Sequence, residues 1–230
     1  LLYSRLGLAL YKLISNFIDY YDHWFDIDNE QRFYRITTDG MNRGQMFGFM
    51  RQHKLTPPLY GIVSHLKNAC YLELEDKVVV YTNENVHCGE GKLLMTLEEA
   101  YQQYPNCLCT QYLNTEKVFG YAVSYRHLQI GYKAFWLRYT SFTDWRSNCG
   151  DGDIDLIEER DIISINKPLF AIDFVKYNNN YYAIDFNIAP GIKGTGVEKI
   201  IPAKQVVELI KEQFEINNLE VNNNEEHSVK

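Results

Sequence analysis

Two apolar runs, Leu169-Phe170-Ala171-Ile172-Asp173-Phe174-Val175-Lys176-Tyr177 and Tyr181-Tyr182-Ala183-Ile184-Asp185-Phe186-Asn187, flank Asn178-Asn179-Asn180 and lead into Ile188-Ala189-Pro190-Gly191-Ile192-Lys193-Gly194-Thr195-Gly196. Each run carries the tetrapeptide Ala-Ile-Asp-Phe, at 171–174 and again at 183–186. Short apolar runs bounded by turn residues read as strands, and three Asn between them read as a hairpin loop. With Tyr177 facing Tyr181, residues whose numbers sum to 358 lie opposite one another, which places Asp173 against Asp185. Cross-strand neighbours sit about 4.5–5.5 Å apart at Cβ, and like charges directly opposite destabilise a sheet. A cation between them is therefore expected. Strand side chains repeat every second position, so Asn187 joins the same face. Three oxygen donors of this kind suit Mg²⁺, which takes one or two carboxylates from protein and the rest from water and phosphates.

The following loop has Gly191, Gly194 and Gly196, which let backbone approach a ligand closely, and Lys193 as a cation beside the carboxylates. With these residues the hairpin resembles the C-terminal metal motif of ATP-grasp enzymes, in particular their carboxylate-amine or peptide-ligase branch. Asp144-Trp145-Arg146-Ser147-Asn148 is similar to the arginine and asparagine segment that precedes that motif. Lys77 to Met95 is similar to the family's strand, glycine loop and strand over the triphosphate, and Gln111-Tyr112-Leu113 to its adenine hinge. The resemblance covers about residues 41–212. It departs at Tyr81, where the family usually has a phosphate-contacting lysine, at Arg43, where a second lysine is common, and at Asp185, where glutamate is usual.

The resemblance implies an α+β, ATP-grasp fold, two α/β subdomains whose antiparallel sheets clasp a nucleotide cleft. It implies ATP-dependent activation of a carboxylate as an acyl phosphate and attack by an amine, so the partners are small-molecule or peptide acids and amines. Asp173, Asp185 and Asn187 would hold Mg²⁺; Arg43, Tyr81, Gly89, Gly91, Gln111, Tyr112, Leu113 and Lys193 would line the ATP site. Arg138, Arg146 and Asn148 are the expected catalytic residues, since planar guanidinium forks suit phosphate and developing acyl-phosphate charge. Arg126 is read as an ordinary charge in a turn near 127–131. The rival reading is a divergent nucleotide-binding or partner-binding module without ligase activity, motivated by Tyr81 and by the short stretch before Met41.

Around this motif, 230 residues with 46% hydrophobic and 14% aromatic content can bury a core without disulfides. The net charge of −7 argues against nucleic acid held mainly through its phosphates. Five cysteines, an odd number without repeated spacing, read as reduced thiols in a cytoplasmic protein. Cys107-Leu108-Cys109 puts two thiols on one strand face, with nothing nearby to complete a zinc site. His87-Cys88 lies in the glycine loop and needs no nucleophilic role. Arg5, Lys12 and Asp19 interrupt the most apolar stretch, so no membrane partner is expected. Self-association is left open.

The chain opens at Leu1 rather than Met, which reads as a fragment or a truncated start. Leu2, Leu6, Leu10, Leu13, Phe17 and Ile18 have helical spacing over residues 1–25. Thr96 followed by Glu99 predicts a capping box and a helix to about Gln103, before Pro105. Strands are expected at 77–81, 93–95, 108–113, 117–125 and 132–139, and a helix from about 202 to 214. The expected divisions are an N-terminal helical segment at 1–53, a central subdomain at 54–113, a C-terminal subdomain at 114–216 and a disordered tail at 217–230.

Overall fold

The computed structural model describes residues 39–84, 91–115, 117–143, 151–192, 195–202 and 204–213. The expected helix at 1–25 and the tail from 217 lie outside them.

The first described helix, α1 (Arg43–Gln52), begins at an Asn42 cap whose side chain accepts the Gln45 N–H while the Gln45 side chain accepts that of Asn42. This reciprocal box satisfies two of the N–H groups that a helix start leaves without partners. Strand β1 (Tyr60–Ile62) leads into α2 (Val63–Asn68), and β2 (Lys77–Tyr81) pairs with β3 (Lys92–Thr96). The expected box closes α3 (Leu97–Gln103): Thr96 Oγ1 accepts the Glu99 N–H and the Glu99 carboxylate accepts that of Thr96. Strand β4 (Leu108–Gln111) completes a four-stranded sheet in the order β1-β4-β2-β3.

A second sheet follows from β5 (Lys117–Val118), β6 (Tyr121–Ile130), β7 (Lys133–Ser141), β8 (Gly152–Arg160), β9 (Leu169–Tyr177) and β10 (Asn180–Asn187). Its order is β10-β9-β6-β7-β8, with β5 against β6, and every pairing is antiparallel. The turn expected around His127 to Gly131 is a strand instead. β6 runs to Ile130 and turns at Gly131-Tyr132, with Gly131 at φ +57° and so close to the helix at 204–213 that a Cβ would lie 2.5 Å from the Leu209 carbonyl oxygen. β6 is flanked on both sides and buried on both faces, so polar His127 and Gln129 sit inside the sheet rather than in a loop.

The hairpin loop is two residues, Asn178 and Asn179, both left-handed at φ +48° and +61°. That is the hairpin turn whose twist matches the strands, and Asn tolerates it better than other side chains. Asn178→Ala and Asn179→Ala are each expected to lower stability by about 1 kcal/mol, the strain of a left-handed Cβ, while Asn179→Gly is neutral or mildly stabilising in urea unfolding. The shorter turn makes facing residue numbers sum to 357 near the loop, as in Ala183 against Phe174. A bulge between Ala183 and Asp185 then restores the expected register, and Asp185 faces Asp173.

Three buried clusters organise the layers. Phe170, Ile172, Phe174, Trp136 and Phe186 pack from one face of the large sheet onto Met46, Phe47 and Met50 of α1 and onto Val79, Tyr81 and Leu108 of the small sheet. Leu128, Phe135, Leu137 and Ala171 pack from the opposite face onto Ile192, Ile201, Val206 and Ile210. The far face of the small sheet, with Val78, Val80 and Cys109, packs on α2 and α3. The outer edge of β10 is covered by the chain before β1, where the Ala183 N–H donates to the Thr56 carbonyl at 2.8 Å.

Candidate functional site

The register of the large sheet decides which charged residues meet. Arg126 faces Asp173, and Asp173 faces Asp185, so the three lie in one row on one face, with Asn187 two positions further. Arg126 grips Asp173 with two parallel bonds, Nε to Oδ1 at 2.6 Å and Nη2 to Oδ2 at 2.9 Å, and its Nη1 donates to the Tyr139 hydroxyl at 3.2 Å. Both side chains are nearly buried, at 14% and 10% exposed. Burial alone would loosen the guanidinium proton; the Asp173 carboxylate more than reverses this and holds it above the usual arginine range.

Asp185 is held by a different element. Arg43, the first residue of α1 and itself buried, reaches the Asp185 Oδ1 with Nη1 at 2.7 Å, and that oxygen also accepts the Phe186 N–H at 3.0 Å. Met46, one turn along α1, takes the same N–H with its sulfur at 3.2 Å, which ties the bulge to the helix. Burial pushes the Asp185 carboxyl up, but Arg43 and then Lys92 more than reverse it, so it ionises below its usual 3.8. A carboxyl with a lowered folded pKa contributes stability that is fully present above the unfolded value and is lost as pH falls through the folded one. Urea unfolding between about pH 5 and 2.5 should therefore show an acid loss of stability that Asp185→Asn reduces.

Lys92 enters because it is the cross-strand partner of Tyr81, with its Nζ 5.9 Å from the Tyr81 ring centroid. The Arg43 guanidinium lies 5.3 Å from the same centroid. Burial pushes the Tyr81 hydroxyl up, against the pull of Arg43 and a bond with Thr110, so it stays a neutral phenol. The mouth of the 82–91 loop sits here too: Thr82 N–H donates to the Gly91 carbonyl at 2.8 Å, and Gly44 N–H, at the start of α1, points to the Glu84 carboxylate at 3.4 Å. Gly91 is left-handed at φ +62°. Gln111, Tyr112 and Leu113 leave the opposite end of β2, where the Tyr112 N–H donates to the Lys77 carbonyl at 2.9 Å.

Arg138 does not join this group. It faces Tyr125, one position off the Arg126–Asp173 row, and so projects from the opposite face, where it pairs with Asp155 at 2.7 Å. Arg126, assigned to a turn by the sequence reading, is the guanidinium on the carboxylates. Its missed signal was the strand-forming content on both sides of it, Tyr121 to Tyr125 and Leu128 to Ile130, which Ser124, His127 and Gln129 interrupt. Gly89, Arg146, Asn148 and Lys193 lie outside the described residues, as do His87 and Cys88. Cys109 is a buried thiol pushed up to about 12 by burial, unsuited to attack.

Asp173, Asp185 and Asn187 offer three oxygen-donor side chains on one face. The donor set is of the kind a hard divalent cation takes, and in this structure two guanidiniums supply the positive charge, with both Asp173 oxygens on Arg126 and Asp185 Oδ1 on Arg43, so an ion would take their place. Asn187 Oδ1 also accepts the Ala189 N–H at 2.7 Å, which fixes its amide oxygen as the acceptor end. Among the described residues no group of three or more His, Cys, Asp and Glu could hold a metal on its own. No helix among them is long and apolar enough to cross a membrane.

Among solved structures, the chain is similar to D-alanine–D-alanine ligase from Bacillus anthracis complexed with ATP, at 12% identity over 80% of this chain and 70% of that one, with a TM-score of 0.50. The chain has the ATP-grasp fold. Another structure of the Bacillus anthracis ligase matches at 11% identity over 80% and 71% of the two chains, with a TM-score of 0.46. A Chryseobacterium gregarium RiPP-associated ATP-grasp ligase in complex with ADP and a leader and core peptide matches at 13% identity over 73% and 57%, with a TM-score of 0.49. No protein-family model matches the sequence, and no curated protein matches it.

Proposed function

We propose that this chain is an ATP-dependent ligase that joins a carboxylate to an amine through an acyl phosphate. The observation that carries the reading is the charged row of the large sheet, Asp185, Asp173 and Arg126, met by Arg43 and Lys92 from the small-sheet side, within an ATP-grasp fold. A substrate carboxylate oxygen attacks the γ-phosphorus of ATP and ADP leaves; the amine nitrogen then attacks the acyl carbon, phosphate leaves with the carbon–oxygen bond pair, and the nitrogen loses a proton. Such chemistry needs positioning and charge neutralisation more than a protein nucleophile.

Asp173, Asp185 and Asn187 would hold Mg²⁺, which when bound supplies charge neutralisation to the phosphates. Arg43 and Lys92 would receive phosphate oxygens, and Arg126, oriented by Asp173 and Tyr139, would take the role expected of Arg138. Tyr81 walls the same end of β2, and Gln111, Tyr112 and Leu113 the other. Four residue steps of β2 separate the ends by about 13 Å, which suits the base and the phosphates of one extended nucleotide. Gly89, Gly91 and Lys193 would close on the phosphates, and Arg146 and Asn148 would approach the reacting group. The acids and amines are amino acids or peptides, by analogy with the structural neighbours.

A second reading, a nucleotide-binding module without ligase activity, is favoured by the neutral Tyr81 where lysine is usual. ADP release measured on the full chain separates the two. Under the ligase reading, release requires ATP, Mg²⁺ and a mixture of candidate acids and amines. Stabilisation by ATP and Mg²⁺ without any release would leave the module, and release with one acceptor alone would indicate a kinase.

A further inference from the structure

The large sheet carries a second feature on the face opposite Asp173. A cleft of about 680 Å³, open to solvent, is lined there by His127, Trp136, Glu158, Arg160, Phe174 and Tyr181 together with the 161–163 loop. That size suits a small molecule.

His127 is its buried polar group, and Glu158, Glu159, Arg160 and Asp161 stand at the exposed rim. The Arg160 guanidinium lies 3.8 Å from the centroid of the Trp136 ring, and its Nε donates to the Glu158 carboxylate at 2.6 Å. Stacking and this bond fix the plane of the fork, while Arg160 remains 34% exposed and its Nη groups make no bond to a described residue. A fork fixed in this way matches a carboxylate through two parallel bonds.

Deeper in, His127 is 3% exposed. Gln129 Oε1 accepts the Ile163 N–H at 2.8 Å, which fixes the oxygen end of that amide, and the same oxygen lies 3.2 Å from His127 Nε2. An oxygen can only accept, so Nε2 carries the proton. Burial keeps the ring neutral. Nδ1 is then a lone-pair acceptor with no partner among the described residues. Trp136, 2% exposed, has the Arg160 guanidinium over its ring and the Tyr125 ring stacked on it at 5.5 Å, and Tyr181 and Phe174, 5.2 and 5.3 Å from it, are the aromatic walls between the two polar points.

We infer that this cleft binds a small aromatic carboxylate, its carboxylate on the Arg160 fork, its ring against Tyr181 and Phe174, and a hydrogen-bond donor at the far end of the ring reaching His127. The site is separated by the sheet from the Asp173 face and stands whether or not the chain is a ligase.

Isothermal titration of the full chain, without ATP, uses 4-hydroxyphenylacetate as probe. Saturable binding is expected, weakened about tenfold or more in 2-(4-hydroxyphenyl)ethanol, which lacks the carboxylate, and several-fold in phenylacetate, which lacks the donor. Arg160→Gln should lower affinity for the acid to that for the alcohol while leaving the alcohol's unchanged. Equal affinity for acid and alcohol, or no saturable binding of the acid up to about 10 mM, overturns the assignment; neither result depends on a variant folding.

Discussion

Arg126→Ala is expected to lower the unfolding free energy by about 3–5 kcal/mol, because it leaves the Asp173 carboxylate nearly buried without its counter-charge. The pair is bidentate, both partners are enclosed, and Tyr139 fixes the remaining arm of the guanidinium, so water has little access to replace what is lost. Removing both charges should be milder than removing one. Asp173→Asn combined with Arg126→Met should recover most of the stability while leaving the site without its guanidinium. Urea unfolding measures both, and a cost below about 1 kcal/mol for Arg126→Ala, the worth of an exposed pair, would show that the row is solvated and not the enclosed clamp described.

The second large effect is functional. Asp185→Ala should abolish ADP release, a loss of at least about 100-fold, since it removes one of the proposed metal's oxygen donors and the carboxylate that Arg43 binds. The acid-linked stability that Asp185 contributes would be lost in the same variant, so its fold must be checked by circular dichroism at neutral pH. Asp185→Asn, which keeps the shape, is the control for folding and should be nearly as inactive. Arg138→Ala, by contrast, breaks only a half-exposed pair with Asp155 on the other face and should change ADP release less than about threefold. Retained activity in both Asp185 variants would remove the metal assignment.

Much of this was legible in the order of residues. The doubled Ala-Ile-Asp-Phe and the Asn loop led to a hairpin with its aspartates opposed, and the Thr96–Glu99 spacing to a helix start, because both are local patterns. The Asn42–Gln45 box was equally local and went unread, hidden behind the apolar face at Met46 to Met50. The route to the aspartate register was not legible: the turn is one residue shorter than the three Asn suggest, and the bulge that compensates for it is held by Arg43 and Met46, about 140 positions away in sequence. Arg126 was lost for a related reason. Alternation fails in a strand buried on both faces, and His127 and Gln129 looked like turn residues although they bond to each other inside the sheet. Lys92 could be placed beside the site only through the pairing of β2 with β3.

Titration of the full chain with ATP, followed by calorimetry once in Mg²⁺ and once in EDTA, probes the aspartate row most directly. Saturable binding that tightens at least about tenfold with Mg²⁺, and loses that dependence in Asp185→Asn, is expected of oxygen donors that hold the ion carrying the phosphates. Binding that is unchanged by EDTA, or absent in both, would contradict it.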